Sequence, residues 1–342
     1  MNSPQRPDNV VWDITYACPL RCVHCYTESG RRPSRRLGRA DLLRVTAALI
    51  ELRPQAVVLA GGEPLLLPEI FDIAAELRRN RIGAIVYTSG WGLTAALAER
   101  LLRSFHQVVV SVDGATAEVH DAIRRRPGSF DQALDALAKL NAASVVLNDS
   151  RVPFGRFGIE CTVVRSNAGQ LEEMCSATAP KFPGMAFLSF GAAVPSGLAS
   201  APVFERTELL TDDGVAALVD PDRLDRLRRL CPPTVAVSTT DNLSLLMRPD
   251  LVAAGRSVSI MQVEPDGAVR AMPIYEGTVG SLLDEPGAVL WERAQARLHD
   301  PFVRATLGPV RTMSGWAEAA RRLDRHFGSP DVLARLDRRV RQ

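Results

Sequence analysis

Cys18, Cys22 and Cys25 stand at a CxxxCxxC spacing directly behind an apolar run, Val10 to Tyr16. Three thiolates can hold three irons of a cubane [4Fe–4S] cluster, and with no fourth cysteine nearby one iron stays open to an outside ligand. Joined by another cysteine, the same thiols could instead close a tetrahedral zinc site in a non-catalytic binding protein. A cluster that senses iron or oxygen without turnover is a third reading. Thirty-five residues separate Cys25 from Gly61-Gly62-Glu63-Pro64, which stands behind a second apolar run, Ala56 to Ala60.

Elements must bring these motifs together. Short β-branched runs at 10–16, 56–60, 83–88, 107–112, 158–164 and 186–191 read as strands, and amphipathic segments at 39–52, 68–80, 94–104, 129–140 and 170–179 read as helices. This alternation predicts an α/β fold with a parallel sheet. Six βα units are too few for a closed eight-stranded barrel, so a partial (β/α)6 TIM-like barrel is expected over residues 10–205. Both motifs, Thr88-Ser89-Gly90 and Ser111-Val112-Asp113-Gly114 fall at strand ends, where parallel α/β folds bind their ligands.

Beyond Gly191 the pattern changes. Residues 194–206 are rich in Pro, Ser and Ala, 207–231 are charged and helical, and a hairpin is expected over 258–264 and 268–272, turning at Pro265-Asp266-Gly267. Residues 206–342 thus read as a smaller α+β extension, and the polar residues 1–9 as a disordered N-terminus. Helices are expected at 288–298, 314–327 and 331–341.

The chain of 342 residues is 46% hydrophobic and 23% charged, with net charge +2, and of its 41 basic residues only Lys139 and Lys181 are lysine. A near-neutral total gives no electrostatic case for nucleic-acid binding. No apolar run is long enough to span a bilayer, and the N-terminus lacks the regions of a signal peptide, so a cytoplasmic location without membrane contact is expected. Six cysteines in such a chain argue against a disulfide framework. Arg31 to Arg39 carries five arginines, read as a solvated loop or a dock for an acidic substrate or leader peptide.

Over residues 10–200, the three-cysteine motif, the GGEP and the strand order together resemble the radical S-adenosylmethionine (SAM) superfamily. The resemblance implies an enzyme with a [4Fe–4S] cluster on Cys18, Cys22 and Cys25, and SAM chelating the open iron. One-electron cleavage of the sulfonium then gives a 5′-deoxyadenosyl radical that takes a hydrogen atom from substrate. Gly61, Gly62, Glu63 and Pro64 would approach the SAM ammonium, the glycines because no Cβ intervenes. Ser111 and Arg124, the latter in an HDxxR pattern begun by His120, resemble residues that grip the SAM carboxylate. Tyr26 and Ser89 would line the adenosine pocket, with ordinary packing as the alternative. An electron donor such as flavodoxin or ferredoxin is implied.

Residues 262–282 resemble the hairpin of SPASM or twitch extensions, which bring cysteines for auxiliary clusters, yet Met272 stands where a cysteine is usual and no cysteine follows Cys231. Without auxiliary clusters, redox-neutral tailoring of a natural product is expected, such as epimerisation or rearrangement. The substrate would be a sugar or aminoglycoside-like metabolite or a ribosomal peptide, with peptide crosslinking as the alternative outcome. An epimerase needs a hydrogen-atom donor, for which Cys231, and less so Cys161, are candidates against the alternative of small apolar packing. Asp113 is a candidate to take or orient a substrate proton, capping of the following turn being the alternative.

Overall fold

The β-branched runs become parallel strands because both of their faces are covered or confined, and the periodic segments between them roof one face. A computed structural model describes residues 6–151 and 153–340. Strands β1 (Asn9–Thr15), β2 (Ala56–Gly61), β3 (Gly83–Thr88), β4 (Gln107–Ser111), β5 (Arg156–Val163) and β6 (Phe187–Ala192) lie within two residues of the expected bounds. Helices α1 (Arg39–Leu52), α2 (Ile70–Arg79), α3 (Ala95–Ser104) and α5 (Ser129–Asp149) follow, the last running nine residues past its expected end. Helix α4 (Ala117–Arg124) was not expected; Thr116 caps it through the amide of Val119. The expected helix over 170–179 is only the turn α6 (Leu171–Glu173) followed by a π-turn over Met174–Thr178.

Two further parallel strands come from the C-terminal extension. β7 (Ala236–Thr240) pairs with β6, and β8 (Ile260–Val263) pairs with β1, so the order is β8-β1-β2-β3-β4-β5-β6-β7. The expected hairpin then adds β9 (Ala268–Arg270) and, beyond it, β10 (Thr278–Ser281), both antiparallel to their neighbours. Gly267, at φ +83°, makes its turn and donates to the Glu264 carbonyl at 3.0 Å. The extension therefore supplies both edges of one sheet, and β7 and β8 do not pair, which leaves the barrel open as expected.

Alternation sorts the strand residues. Val10, Trp12, Ile14, Val57, Leu59, Val86, Val108 and Val110 are fully buried against Leu42, Leu49, Leu77, Leu101 and Leu137 of the helices. The other phase faces inward and is half-buried at several central positions. Of the stretch expected to be disordered, residues 1–5 lie outside the described residues. Residues 6–9 are tied down, the Asp8 amide donating to Ser259 O at 2.8 Å and Asn9 opening β1.

After β6 come α7 (Pro202–Thr207), α8 (Asp212–Leu218), α9 (Pro221–Leu230) and α10 (Pro249–Ala253); α11 (Gly287–Arg297), α12 (Pro301–Leu307), α13 (Met313–Phe327) and α14 (Pro330–Val340) close the chain. Helix α14 ties the two ends of the molecule together. Its Arg335 and Arg339 both reach Glu28, three residues after Cys25, and both also reach Glu276, at 3.0 and 3.4 Å. Arg270 adds Glu264 at 3.1 Å, and all of these side chains are buried.

Candidate active site

The cysteine loop is hung between two supports. On one side, the end of β2 packs on the root of the loop: the Gly62 amide donates to Thr15 O at 2.7 Å and the Glu63 amide to Ala17 O at 2.9 Å. A Cβ at Gly62 would sit 2.1 Å from Ala17 O, and Gly61 holds φ +105° with Thr15 O in the way of any side chain. What the glycines admit is first the chain's own backbone. On the other side, the amides of Arg21 and Val23 donate to the carbonyls of Arg124 and Ile123, at 3.1 and 2.9 Å, so the loop caps the last turn of α4.

Each thiol has one donor beside it. The Leu20 amide lies 3.5 Å from Cys18 Sγ, the Thr27 hydroxyl 3.4 Å from Cys25 Sγ, and Arg124 Nη1 3.6 Å from Cys22 Sγ. Burial pushes Cys18 up to about 12 and Cys22 up to about 11, with Arg124 pulling Cys22 back. Such thiols give up their protons to a centre that compensates the charge, and donors to sulfur tune a cluster's potential. Among the described residues no three His, Cys, Asp or Glu side chains converge as on a single ion. Three thiols, each with a polar group beside its sulfur, are a set that suits a polynuclear iron–sulfur cluster. All six cysteines are free thiols.

Asp113 is the hub of the site. Fully buried just past β4, it receives His24 Nε2 at 2.8 Å and the Thr162 amide at 2.9 Å, and pairs with Arg124 Nε at 2.7 Å. Burial opposes its charge, but Arg124, then His24, outweigh that and hold the carboxyl well below the usual range. With its oxygens so engaged, Asp113 positions Arg124 and His24. His120 Nδ1 accepts the Asp113 amide at 3.0 Å, and burial, with Arg124, brings its pKa down to about 4. Asp121 accepts from the amides of Gly128 and Phe130 and from the Ser129 hydroxyl, at 2.6, 2.8 and 2.7 Å, capping α5. The HDxxR pattern thus has one job per residue, and Arg124 is spent on Asp113 and Cys22.

Three other expected contacts are engaged internally. Glu63 accepts from the Thr88 hydroxyl at 2.9 Å, the Ser89 amide at 2.8 Å, the Ser89 hydroxyl at 2.6 Å and the Leu65 amide at 3.2 Å. Glu63 and Ser89 therefore lock the β2 loop to the β3 loop, with Pro64 starting the turn between; burial raises the Glu63 pKa and these donors restrain the rise. The Tyr26 hydroxyl donates to Asp13 Oδ1 at 2.5 Å, and Gln262 Nε2 donates to Asp13 Oδ2 at 2.7 Å. Burial lifts Asp13 to about 6 against the pull of Arg270. Ser111 stays half-buried at the mouth, in register with Glu160.

Neither thiol candidate faces this mouth. Cys231 is buried at the end of α9, ahead of β7, whose first residue Ala236 pairs with Phe187 at the start of β6. That is the opposite end of the sheet from the cysteine loop, and its partner there is Cys175. Cys161 lies in the helix-facing phase of β5, fully buried. The arginine run is exposed at Arg31, Arg35, Arg36 and Arg39, as expected of a solvated loop, yet its side chains are paired: Arg35 with Asp266 at 2.9 Å, Arg36 with Glu69 at 2.9 Å and Arg39 with Asp72 at 2.9 Å, while Arg31 caps the carbonyls of Arg21 and Cys22. Sequence reasoning passed over Asp13, Tyr87, Glu160 and Asn167. The available signal for Asp13 and Glu160 was a carboxylate in the middle of an apolar strand.

Residues 12–150 match the family model described as Radical SAM superfamily. The chain is 34% identical over 171 residues to the mycofactocin maturase of Mycobacterium tuberculosis, covering 50% of this chain and 41% of that protein. To the AdoMet-dependent heme synthase of Methanosarcina barkeri it is 32% identical over 139 residues, 40% of each. It spans about two-fifths of the length of these curated relatives. Among solved structures, Streptococcus suis SuiB bound to precursor peptide SuiA matches with TM-score 0.64 at 13% identity, covering 90% of this chain and 68% of that one. Native anSMEcpe with bound AdoMet matches with TM-score 0.57 at 16% identity, covering 96% and 99%. The no-membrane expectation meets one finding: no helix of the described residues is long and apolar enough to cross a bilayer.

Proposed function

We propose that this chain, whose residues 12–150 match the Radical SAM superfamily model, is an enzyme of that superfamily with a [4Fe–4S] cluster and S-adenosylmethionine as its cofactors, that Cys18, Cys22 and Cys25 hold the cluster, and that the open barrel beneath them receives a ribosomally made peptide. The observation that carries this reading is the cysteine loop, with one hydrogen-bond donor at each sulfur and an anchored root at each end. When bound, the cofactors supply reductive cleavage of a sulfonium and with it hydrogen-atom abstraction.

This chain's own residues do the rest. Gly61, Gly62, Glu63 and Pro64 fix the β2 end as the floor of the SAM site, with Ser89 as the brace of Glu63 and Ser111 as the open hydroxyl at the mouth. Arg124 donates to Cys22 and is aligned by Asp113, so it tunes the sulfur and brings positive charge to the place where the SAM carboxylate would lie. Tyr26 walls the far side, its ring fixed by Asp13.

Support for a peptide comes from the relatives: the SuiB structure holds a precursor peptide, and an anSMEcpe structure holds a peptide named Kp18Cys. A sugar or aminoglycoside-like metabolite is the second reading. Neither Cys231 nor Cys161 lies at the mouth to quench a substrate radical, which favours rearrangement or carbon–carbon bond formation over thiol-quenched epimerisation. The test is transfer of deuterium from a perdeuterated candidate precursor peptide into 5′-deoxyadenosine under dithionite. Label transfer with a changed peptide mass is expected; cofactor cleavage with no label from the peptide would turn the reading to the metabolite.

A further inference from the structure

The concave side of the sheet carries a polar row that the cofactor site does not use. Ser111 of β4 is in register with Glu160 of β5, Glu160 with Ser189 of β6, and Ser189 with Ser238 of β7. The row thus crosses four strands at one level and begins at the mouth. Its members are half-buried, Ser238 exposed, although three of the strands are central to a sheet whose other face is roofed by helices. Exposure there means that the interior is open. Ser238 and Ser189 share a hydrogen bond of 3.0 Å.

Glu160 is the charged member. The Tyr87 hydroxyl donates to its Oε2 at 2.6 Å and fixes the rotamer. Its second oxygen has no protein donor among the described residues, and it is not one of the buried unpartnered atoms. Burial raises the pKa of Glu160, opposed first by the Tyr87 hydrogen bond and then by Arg124, whose guanidinium is committed to Asp113 and Cys22. The guanidinium in the same inward phase, Arg156, is at the start of β5, bonded to Gln107 and stacked over Phe187. A carboxylate at the wall of a chamber, without a neutralising cation, favours a ligand that brings one, because charge-assisted bonds are roughly twice as strong as neutral ones.

We propose that Glu160, positioned by Tyr87, anchors the substrate by its ammonium group, with the flanking serines taking hydroxyls or amides on either side. This rests on the reading of the barrel interior as the substrate chamber. An ammonium can come from a lysine side chain of a peptide or from an amino sugar, and the two arms of the test separate these sources.

Calorimetric titration of the reconstituted enzyme with SAM would use acetyl-Gly-Lys-Gly-amide against its norleucine counterpart, and neamine against a neutral disaccharide. At least one cationic probe should bind tenfold or more tightly than its neutral partner. Glu160→Gln, checked by iron content and circular dichroism, should abolish that preference, and Tyr87→Phe should reduce it while sparing the neutral probe's affinity. Should Glu160→Gln fail to fold, Ser189→Lys places a competing cation in the row and should remove the preference instead. Absence of any preference in the wild-type protein, or its survival in these variants, overturns the anchor. The underlying reading is judged separately, by whether the wild-type enzyme cleaves SAM at all.

Discussion

At the scale of single residues, the site depends on Asp113 more than on any side chain that sequence alone would rank first. Its carboxylate compensates the buried guanidinium of Arg124, so Asp113→Asn leaves a charge without its partner and should cost about 3–5 kcal/mol of stability in urea denaturation, with loss of iron on purification. His120 predicts a pH response. Its folded pKa near 4 lies below the ordinary 6.5, so the unfolded chain binds more protons between those values. The stabilisation is complete above about pH 6.5 and drains away as pH falls to about 4, a loss of about 3 kcal/mol at ~1.4 kcal/mol per unit. Thermal melts from pH 4 to 7 should show this slope in the wild type and a flatter one in His120→Gln. The three cysteines and the GGEP were legible from type and spacing. The duties of Glu63, Ser89, Tyr26 and Asp113 were not, because a sequence gives the acceptor without the donors that reach it through folding.

At the scale of elements, the glycine pair shows why the strand end must be bare. Gly62→Ala would drive a methyl group into Ala17 O, with backbone on both sides unable to yield, and should prevent cluster assembly as read by the iron-to-protein ratio. Gly169→Ala, where a Cβ meets nothing within 4 Å, should shift stability by less than about 0.5 kcal/mol. The strands and most helices were readable because β-branched runs and 3.6-residue periodicity reflect burial directly. Helix α4 was missed because it is short and carries the polar residues His120, Asp121 and Arg124. Strand β7, Ala-Val-Ser-Thr-Thr, lacks the apolar signal because one of its faces is wet. The partner of β8 is β1, about 250 residues away, a pairing that no local pattern encodes.

At the scale of the whole molecule, the two halves of the sequence make one sheet, and α14 fastens the last residues to the cysteine loop. Glu28 and Glu276 are buried carboxylates that depend on Arg335 and Arg339, Glu28 held below its ordinary value by them in spite of burial. The double variant Arg335→Met, Arg339→Met should therefore destabilise the protein by at least about 3 kcal/mol in denaturant and speed the loss of iron to a chelator. The clamp gives a C-terminal extension with no cysteine after Cys231 a structural role beside the site. The most direct measurement is 5′-deoxyadenosine formation by the anaerobically reconstituted, dithionite-reduced protein and by its Cys18→Ala, Cys22→Ala and Cys25→Ala variants. The wild type should form the product and each variant should lose both cluster and product. A wild type that carries iron and sulfide yet leaves SAM intact, or a variant that still cleaves it, would contradict the account.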